Sequence, residues 1–129
     1  MHQKTFIAKD GQAYLIRIDD TGEEILVFRE EEPLGVIDLK HLQEAKGAES
    51  FLVSVLDLEK CKRIGIGEAA LRYHKEVFHR PLRANGNVRE GRQSGENPMT
   101  RDGIAFIGNM RRKGVIELID FHDAFSEDE

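Results

Sequence analysis

The chain has 129 residues, of which 40% are hydrophobic and 33% are charged, and its formal net charge is −5 at pH 7. This length suits one domain and is too short for two, so we expect a single domain over residues 1–125 and an acidic tail over residues 126–129. The acidic balance disfavours nucleic acid as the main partner, because binding to its backbone depends on neutralising phosphates with Lys and Arg.

Neither a membrane segment nor a metal site is predicted. No apolar run approaches the roughly 20 residues of a membrane span, and the first residues lack the order of a signal peptide. Cys61 is the only cysteine, so no disulfide and no thiolate zinc cluster can form within the chain. The histidines lack the HExxH spacing of zinc enzymes. We therefore expect a cytoplasmic protein without a resident metal.

Three short strands open the predicted fold. Residues 13–19, 24–29 and 34–39 carry alternating or β-favouring apolar residues, and turn residues separate them. Short connections of this kind predict an antiparallel meander. Residues 41–48 follow, where the pattern allows either a short helical turn or a loop.

A buried strand and an amphipathic helix come next. Residues 50–58 are apolar almost without interruption, which is typical of a strand buried on both faces. After a glycine-containing turn, a stripe of residues at helical spacing predicts a helix that Pro81 ends. The stripe consists of Ile66, Ala69, Ala70, Tyr73 and Val77. Residues 82–84 then begin a short strand.

The last third of the chain predicts a loop, a helix and a strand. Residues 85–98 are rich in glycine and arginine and are expected to form a mobile loop. A helix then begins at Thr100, buries Ile107 and Met110, and ends before Gly114. Residues 115–121 form a final strand. Because a β-α-β unit requires one parallel pair, we predict an α/β (α+β) fold with a mixed, mostly antiparallel sheet.

The segment over residues 56–68 has the residue pattern of a ligand-binding turn. A strand runs into a basic turn with Gly65 and Gly67, and the turn opens a helix. Helix N-termini offer free backbone N–H groups and the positive end of the dipole, and glycine lets a phosphate approach closely. Lys62 and Arg63 add positive charge, so a phosphate or pyrophosphate ligand is predicted. A turn that only redirects the chain is the alternative, and the Rossmann and Walker motifs are absent.

Two segments resemble the GNAT superfamily of N-acetyltransferases. Residues 62–67 (Lys-Arg-Ile-Gly-Ile-Gly) are similar to its acyl-CoA-binding motif, Arg/Gln-x-x-Gly-x-Gly/Ala, with Lys62 in the first position. Residues 102–106, followed by Gly114, are similar to the Asp-Gly-x-Ala-Phe-Trp segment of some members. The resemblance covers roughly residues 34–119. It implies a small, divergent GNAT-like fold with few helices, and acetyl-CoA or CoA as cofactor.

The resemblance implies a role for each matching position. The end of the central strand would bond the pantetheine arm, and the amides of the glycine turn would hold the pyrophosphate. The two parallel strands would separate near residues 56–58 and 82–85 to admit the acyl group. The implied cofactor-binding residues are Leu56, Leu58, Lys62, Arg63, Ile64, Gly65, Ile66, Gly67, Glu68 and Asn85.

The implied activity is acyl-CoA-dependent N-acyl transfer, with acetyl as the expected group, to an unidentified amine that attacks the thioester directly. Asp57 is the candidate base and Glu59 is an alternative. Met110 stands where the family places a tyrosine acid, and Met cannot donate a proton. Residues 20–22 leave room only for a turn where the family places two helices, so the acceptor site is open or completed by the second subunit of a homodimer. A non-catalytic CoA-binding or protein-interaction module therefore stays an alternative.

A third hypothesis, besides the acyltransferase and the non-catalytic module, concerns the arginines between residues 83 and 101. A group of arginines near a loop is one way to bind nucleic acid. The overall acidity instead favours solvated charge at these positions. The arginines are Arg83, Arg89, Arg92 and Arg101.

Overall fold

The computed structural model describes residues 1–43, 47–58, 60, 64–89 and 101–117. Within these ranges the chain forms a sheet of six strands with two helices, which confirms the α+β class. The elements in chain order are β1 (His2–Ile7), β2 (Ala13–Ile18), β3 (Glu24–Arg29), β4 (Glu32–Gln43), β5 (Glu49–Asp57), α1 (Ile66–Phe78), β6 (Leu82–Arg89) and α2 (Arg101–Arg112).

The strands lie in the sheet in the same order as in the chain. The first five pair as antiparallel neighbours, and β6 pairs with β5 in parallel after the crossover through α1. The predicted mostly antiparallel sheet with one β-α-β unit is therefore confirmed. Strand β1 was not predicted. It is an edge strand with mainly exposed side chains, so its sequence lacks the apolar alternation that marks a half-buried strand.

Strand β4 is longer than the predicted strand over residues 34–39. His41 pairs with Phe51 and Gln43 pairs with Glu49, so residues 41–43 continue the strand. Both structures allowed for residues 41–48, a helical turn and a loop, are therefore wrong for residues 41–43, and residues 44–46 lie outside the described residues. These polar residues join the sheet because β5 supplies partners for their backbone groups, which the local sequence does not reveal.

Strand β6 is also longer than predicted, and it corrects the loop expected over residues 85–98. The backbone of residues 85–89 continues the strand, and Arg89 pairs with Val55. Residues 90–100 lie outside the described residues. The final strand expected over residues 115–121 does not begin at Val115, which follows α2 in a bend. The N–H of Glu117 nevertheless donates to the carbonyl of Leu82 at 2.8 Å, and residues 118–121 are not described.

One face of the sheet and both helices form the core. Helix α2 buries Ile107 and Met110, and it ends at Arg112, two residues before Gly114, whose φ of 77° is the left-handed value expected after a helix. Neither described helix is long and apolar enough to cross a bilayer. The core residues on strands β2 to β5 include Ile16, Ile18, Ile25, Val27, Ile37, Leu39, Phe51 and Val53.

The buried stripe of α1 differs from the predicted one. Ile66 and Ala70 are buried as expected, but Leu71 and His74 are buried instead of Tyr73 and Val77. The reason is that aromatic side chains surround His74. The centroid of the His74 ring lies 4.5 Å from that of Phe51 and 4.8 Å from that of Phe78. A histidine can take a core position here because its polar edge meets a carbonyl.

That carbonyl belongs to Gly22, in the turn between β2 and β3. Nε2 of His74 lies 2.9 Å from the Gly22 oxygen and donates to it, and Nδ1 is buried without a hydrogen-bond partner. Gly22 has a φ of 79°, and an added Cβ would lie 3.0 Å from the rings of Phe51 and Phe78. Burial lowers the pKa of His74, although the Gly22 hydrogen bond and the charge of Asp19 act in the opposite direction. The neutral imidazole therefore belongs to the folded state.

The buried histidine makes stability depend on pH. The unfolded chain binds a proton at His74 near the ordinary pKa of 6.5, whereas the folded chain binds it only at lower pH. The contribution of His74 to the free energy of unfolding is therefore fully present above the unfolded pKa. It falls as pH drops towards the folded pKa, by at most about 1.4 kcal/mol per pH unit. We expect urea unfolding between about pH 7.5 and about pH 5.5 to show this loss.

The matched control is His74→Gln, which keeps an amide donor for Gly22 but does not titrate in this range. This variant should start less stable than the natural chain and lose less stability on acidification. Equal losses in the two proteins would show that His74 does not supply the dependence.

Candidate ligand site at the start of α1

Three parts of the chain meet where α1 begins. The end of β5, the hairpin between β1 and β2, and the first turn of α1 lie at the same end of the sheet. The N–H of Lys9 in the hairpin donates to the carbonyl of Ile64 at 3.1 Å. The Lys9 side chain passes Gly65, with its Cε 3.7 Å from the place of an added Cβ. The hairpin therefore brings a cation to this turn, which sequence reasoning missed because the contact is long-range.

Gly65 precedes α1 in a left-handed conformation, with φ of 89° and ψ of 0°. Only glycine adopts this conformation without strain, so the first glycine of the motif is explained by the turn itself. No side chain caps the helix, and the Gly65 carbonyl accepts the first helical bond from Ala69 at 3.0 Å. The N–H groups of Ile66, Gly67 and Glu68 have no hydrogen-bond partner among the described residues. Such a helix start can hold an anion.

Gly67 is glycine for a different reason. An added Cβ would lie 2.7 Å from Cε1 of Phe106 and 3.1 Å from Cδ1 of Leu58. The ring of Phe106 therefore occupies the space that any other residue at position 67 needs, and α2 approaches α1 closely at this point. The second glycine of the motif serves packing between the helices, whatever binds the amides beside it.

Glu68 joins the two helices. Its carboxylate accepts hydrogen bonds from Lys113 and Arg72, each at 2.8 Å. The hydrogen bond from Lys113 has the largest lowering effect on the pKa of Glu68, and the bond from Arg72 has the next largest. Because the carboxylate is held by these two cations, it does not turn back to cap the helix. The negative charge next to the amides of the first turn is thereby offset.

The ladder between β5 and β6 is interrupted beside this region. Pairing is regular from Phe51 with Leu82 to Val53 with Ala84, and then it shifts so that Val55 faces Arg89. Residues 85–88 of β6 thus lie opposite one residue of β5. The resemblance implied separation near residues 56–58 and 82–85, but residues 82–84 pair regularly with residues 51–53, so the interruption lies later in β6 and earlier in β5 than expected.

Arg111 joins α2 to β6 just before the interruption begins. One of its Nη atoms donates to the carbonyl of Ala84, the last residue of the regular ladder. Burial lowers the pKa of Arg111, and its Nε is buried without a hydrogen-bond partner. The Pro81 carbonyl accepts from Phe51 of β5 and the Leu82 carbonyl accepts from Glu117. Because backbone groups alternate in direction along a strand, the Ala84 carbonyl faces the edge of β6 away from β5, and the guanidinium supplies that edge with a donor.

The predicted site residues divide between the two faces of the sheet. Leu56 and Leu58 are buried in the core with the helices, as is Ile66, while Ile64 packs against that core half-buried. Asp57 lies on the opposite face because side chains alternate along a strand, and it is half-buried opposite Val36.

The remaining site residues are described less fully or not at all. Lys62, Arg63 and the alternative base Glu59 lie outside the described residues. Asn85 is placed by its backbone in β6. The structure therefore brings the glycine turn together with Leu58 and separates Asp57 from them.

Met110 packs in the core, with only 3% of its surface exposed. This confirms the packing role expected for it, and no proton donor stands at the position of the family's tyrosine. Tyr73 is half-buried on α1, and the ammonium of Lys4 lies 5.7 Å from its ring centroid. Among the described residues, no group of three His, Cys, Asp or Glu side chains is placed to hold a metal ion.

Known proteins give no further guidance. Comparison of this chain with family models, with curated proteins and with solved structures finds no match. The GNAT resemblance accordingly rests on the two sequence segments that carry it, residues 62–67 and 102–106.

The contact between Gly67 and Phe106 is testable by a double-mutant cycle. We expect Gly67→Ala to destabilise the fold by about 1–3 kcal/mol, because the added methyl overpacks the core. In a Phe106→Leu background the same change should have a much smaller effect, since the ring atoms at 2.7 and 2.8 Å are gone. Urea unfolding of the four proteins measures both effects. Additive effects would contradict the assignment, since contacting residues should show coupling.

Proposed function

We propose that this chain is a GNAT-like domain that binds CoA or acetyl-CoA with the pyrophosphate at the start of α1. The observation that carries the proposal is the uncapped helix start, where Ile66, Gly67 and Glu68 present N–H groups without a partner among the described residues. Several N–H groups and the positive end of the helix dipole converge at such a position, and a diphosphate matches both.

The charges around the helix start support an anionic ligand. Lys9 lies beside Gly65, and Lys62 and Arg63 directly precede the turn in sequence. The acidic Glu68 is balanced by two cations. A local positive site is thereby compatible with an acidic chain. Cytoplasmic residence, as expected from the sequence, suits a ligand of central metabolism.

The interrupted ladder supports a place for the pantetheine arm. This arm is an extended chain with two amide groups, so it pairs best with backbone groups that a neighbouring strand has released. The shift between Val53 and Val55 of β5 leaves residues 85–88 of β6 without register partners on β5. The arm would run from the start of α1 into this interruption.

We further propose that the site transfers the acyl group to an amine. The amine nitrogen forms a bond to the thioester carbonyl carbon, the carbon–sulfur bond breaks, and CoA leaves as a thiolate. The ammonium formed on attack passes its proton to water, and the thiolate takes a proton from water. Asp57 was the candidate base, but its place on the other face from Leu56 and Leu58 favours water in this role.

A non-catalytic CoA-binding module is the second candidate. Two observations favour it. Met110 is buried in the core at the position of the family's acid, and the connection between β2 and β3 is a turn around Gly22 without acceptor-binding helices. Binding and turnover must therefore be tested separately.

Calorimetry with CoA and with pantetheine tests the cofactor proposal. We expect CoA to bind and pantetheine, which lacks the diphosphate, to bind far more weakly. Lys9→Gln should weaken CoA binding about two- to fivefold, as removal of one exposed cation does, and salt should reduce the difference. Lys4→Gln is the matched control, because Lys4 is a lysine of β1 that pairs with Glu76 instead. No heat at millimolar CoA, or equal affinity for pantetheine, would overturn the proposal.

Release of free thiol from acetyl-CoA, measured against a panel of amines, decides between enzyme and binder. We expect turnover with at least one amine, and we expect it to survive Met110→Leu because Met110 holds no proton to donate. That substitution conserves volume and should cost less than about 1.5 kcal/mol. Binding of CoA without turnover on any amine would favour the non-catalytic module.

A further inference from the structure

The sheet face opposite the helices carries a groove at its β1–β3 side. The groove has a volume of about 620 Å³ and lies at the end of the sheet where the β3–β4 hairpin turns. Its described lining contains no residue of α1 and neither Ile64 nor Gly65, so it lies apart from the described residues of the proposed CoA site. Its lining residues are Thr5, Ala13, Tyr14, Leu15, Arg17, Phe28, Glu30 and Glu31.

Arg17 supplies a cation to this groove. Its guanidinium carbon lies 4.8 Å from the centroid of the Phe28 ring, and its Nε is buried without a hydrogen-bond partner. No ion pair joins Arg17 to a carboxylate in the part of the chain that the structure describes. Arg17 lines the groove, and a carboxylate fits the planar fork of a guanidinium through two parallel bonds. The groove therefore offers a place for an anion.

Glu30 and Glu31 bring the opposite charge. They form the two-residue turn between β3 and β4, with φ values of 51° and 72°, and both side chains are exposed at the rim of the groove. Neither carboxylate pairs with Arg17. The apolar side chains of Leu15 and Phe28, which face each other across β2 and β3, form the floor between the charges.

We propose that this groove binds a small aliphatic molecule with a carboxylate at one end and an ammonium group at the other. The carboxylate meets Arg17, the hydrocarbon chain lies on Leu15 and Phe28, and the ammonium group meets Glu30 and Glu31. A plain anion of the same length is repelled by the glutamates, and a plain amine leaves Arg17 without a partner. The occupant is therefore a zwitterion with separated charges, and the proposal does not depend on CoA binding.

A series of ω-amino acids, from 3-aminopropanoate to 6-aminohexanoate, tests which distance between carboxylate and ammonium group fits the groove. Calorimetry should show an optimal length that binds about tenfold tighter than hexanoate and than hexylamine, since each lacks one charged contact. In ¹⁵N-labelled protein, the best probe should shift the amide signals of Leu15, Arg17 and Phe28. Affinity without a length optimum, affinity equal to that of hexanoate, or shifts centred on α1 would overturn the proposal.

Substitutions test which residues bind the carboxylate and which bind the ammonium group of the ligand. Arg17→Gln should weaken binding of the best ω-amino acid about tenfold, while Arg80→Gln, which removes an exposed arginine outside the groove, should leave it unchanged. The double variant Glu30→Gln/Glu31→Gln should remove the preference for the ω-amino acid over hexanoate. Because both glutamates lie in an exposed turn, this variant keeps the test valid if circular dichroism shows that Arg17→Gln does not fold. Retention of the preference in the double variant contradicts the proposed orientation.

Discussion

The close contact between the backbone of Gly67 and the ring of Phe106 is the constraint on which the arrangement of this domain depends. The ring fills the space of a missing Cβ, so α2 lies directly against the first turn of α1. This approach lets Lys113 at the end of α2 reach Glu68 and places Arg111 at the end of the regular β5–β6 ladder. Packing between two helices thereby determines what surrounds the start of α1.

The same contact changes how the glycine motif is understood. Gly65 is required by its left-handed backbone and Gly67 by the Phe106 ring, so the Gly-x-Gly pattern has a sufficient structural cause at both positions. The pattern alone therefore no longer favours a phosphate. Support for an anion comes instead from Lys9 and from the first amides of α1, which have no partner in the described part of the chain, and of these two only the helix start was visible in the sequence.

The elements that the sequence predicted are those whose signal is local. The alternation of β2 and β3, the apolar run of β5 and the Gly114 stop of α2 each follow from neighbouring residues. The missed features depend on partners far along the chain. Polar residues at the end of β4 become strand through β5, and His74 becomes core through the Gly22 carbonyl. Lys9 joins the site because a hairpin bonds to Ile64, and no local pattern marks such a contact.

The two faces of the sheet separate the chemistry of this domain, and the interruption between β5 and β6 is where they meet. Arg17, Leu26, Val36 and Asp57 occupy one cross-strand row on the uncovered face, so Asp57 stands three strands, or about 14 Å, from the groove arginine. In the proposed site, the pantetheine arm enters the interruption from the helix-covered face, whereas Asp57 lies on the other face. Asp57 would meet the thioester only after the thioester passes between β5 and β6, so the width of the interruption would decide between the two proposed functions, acyl transfer and binding alone.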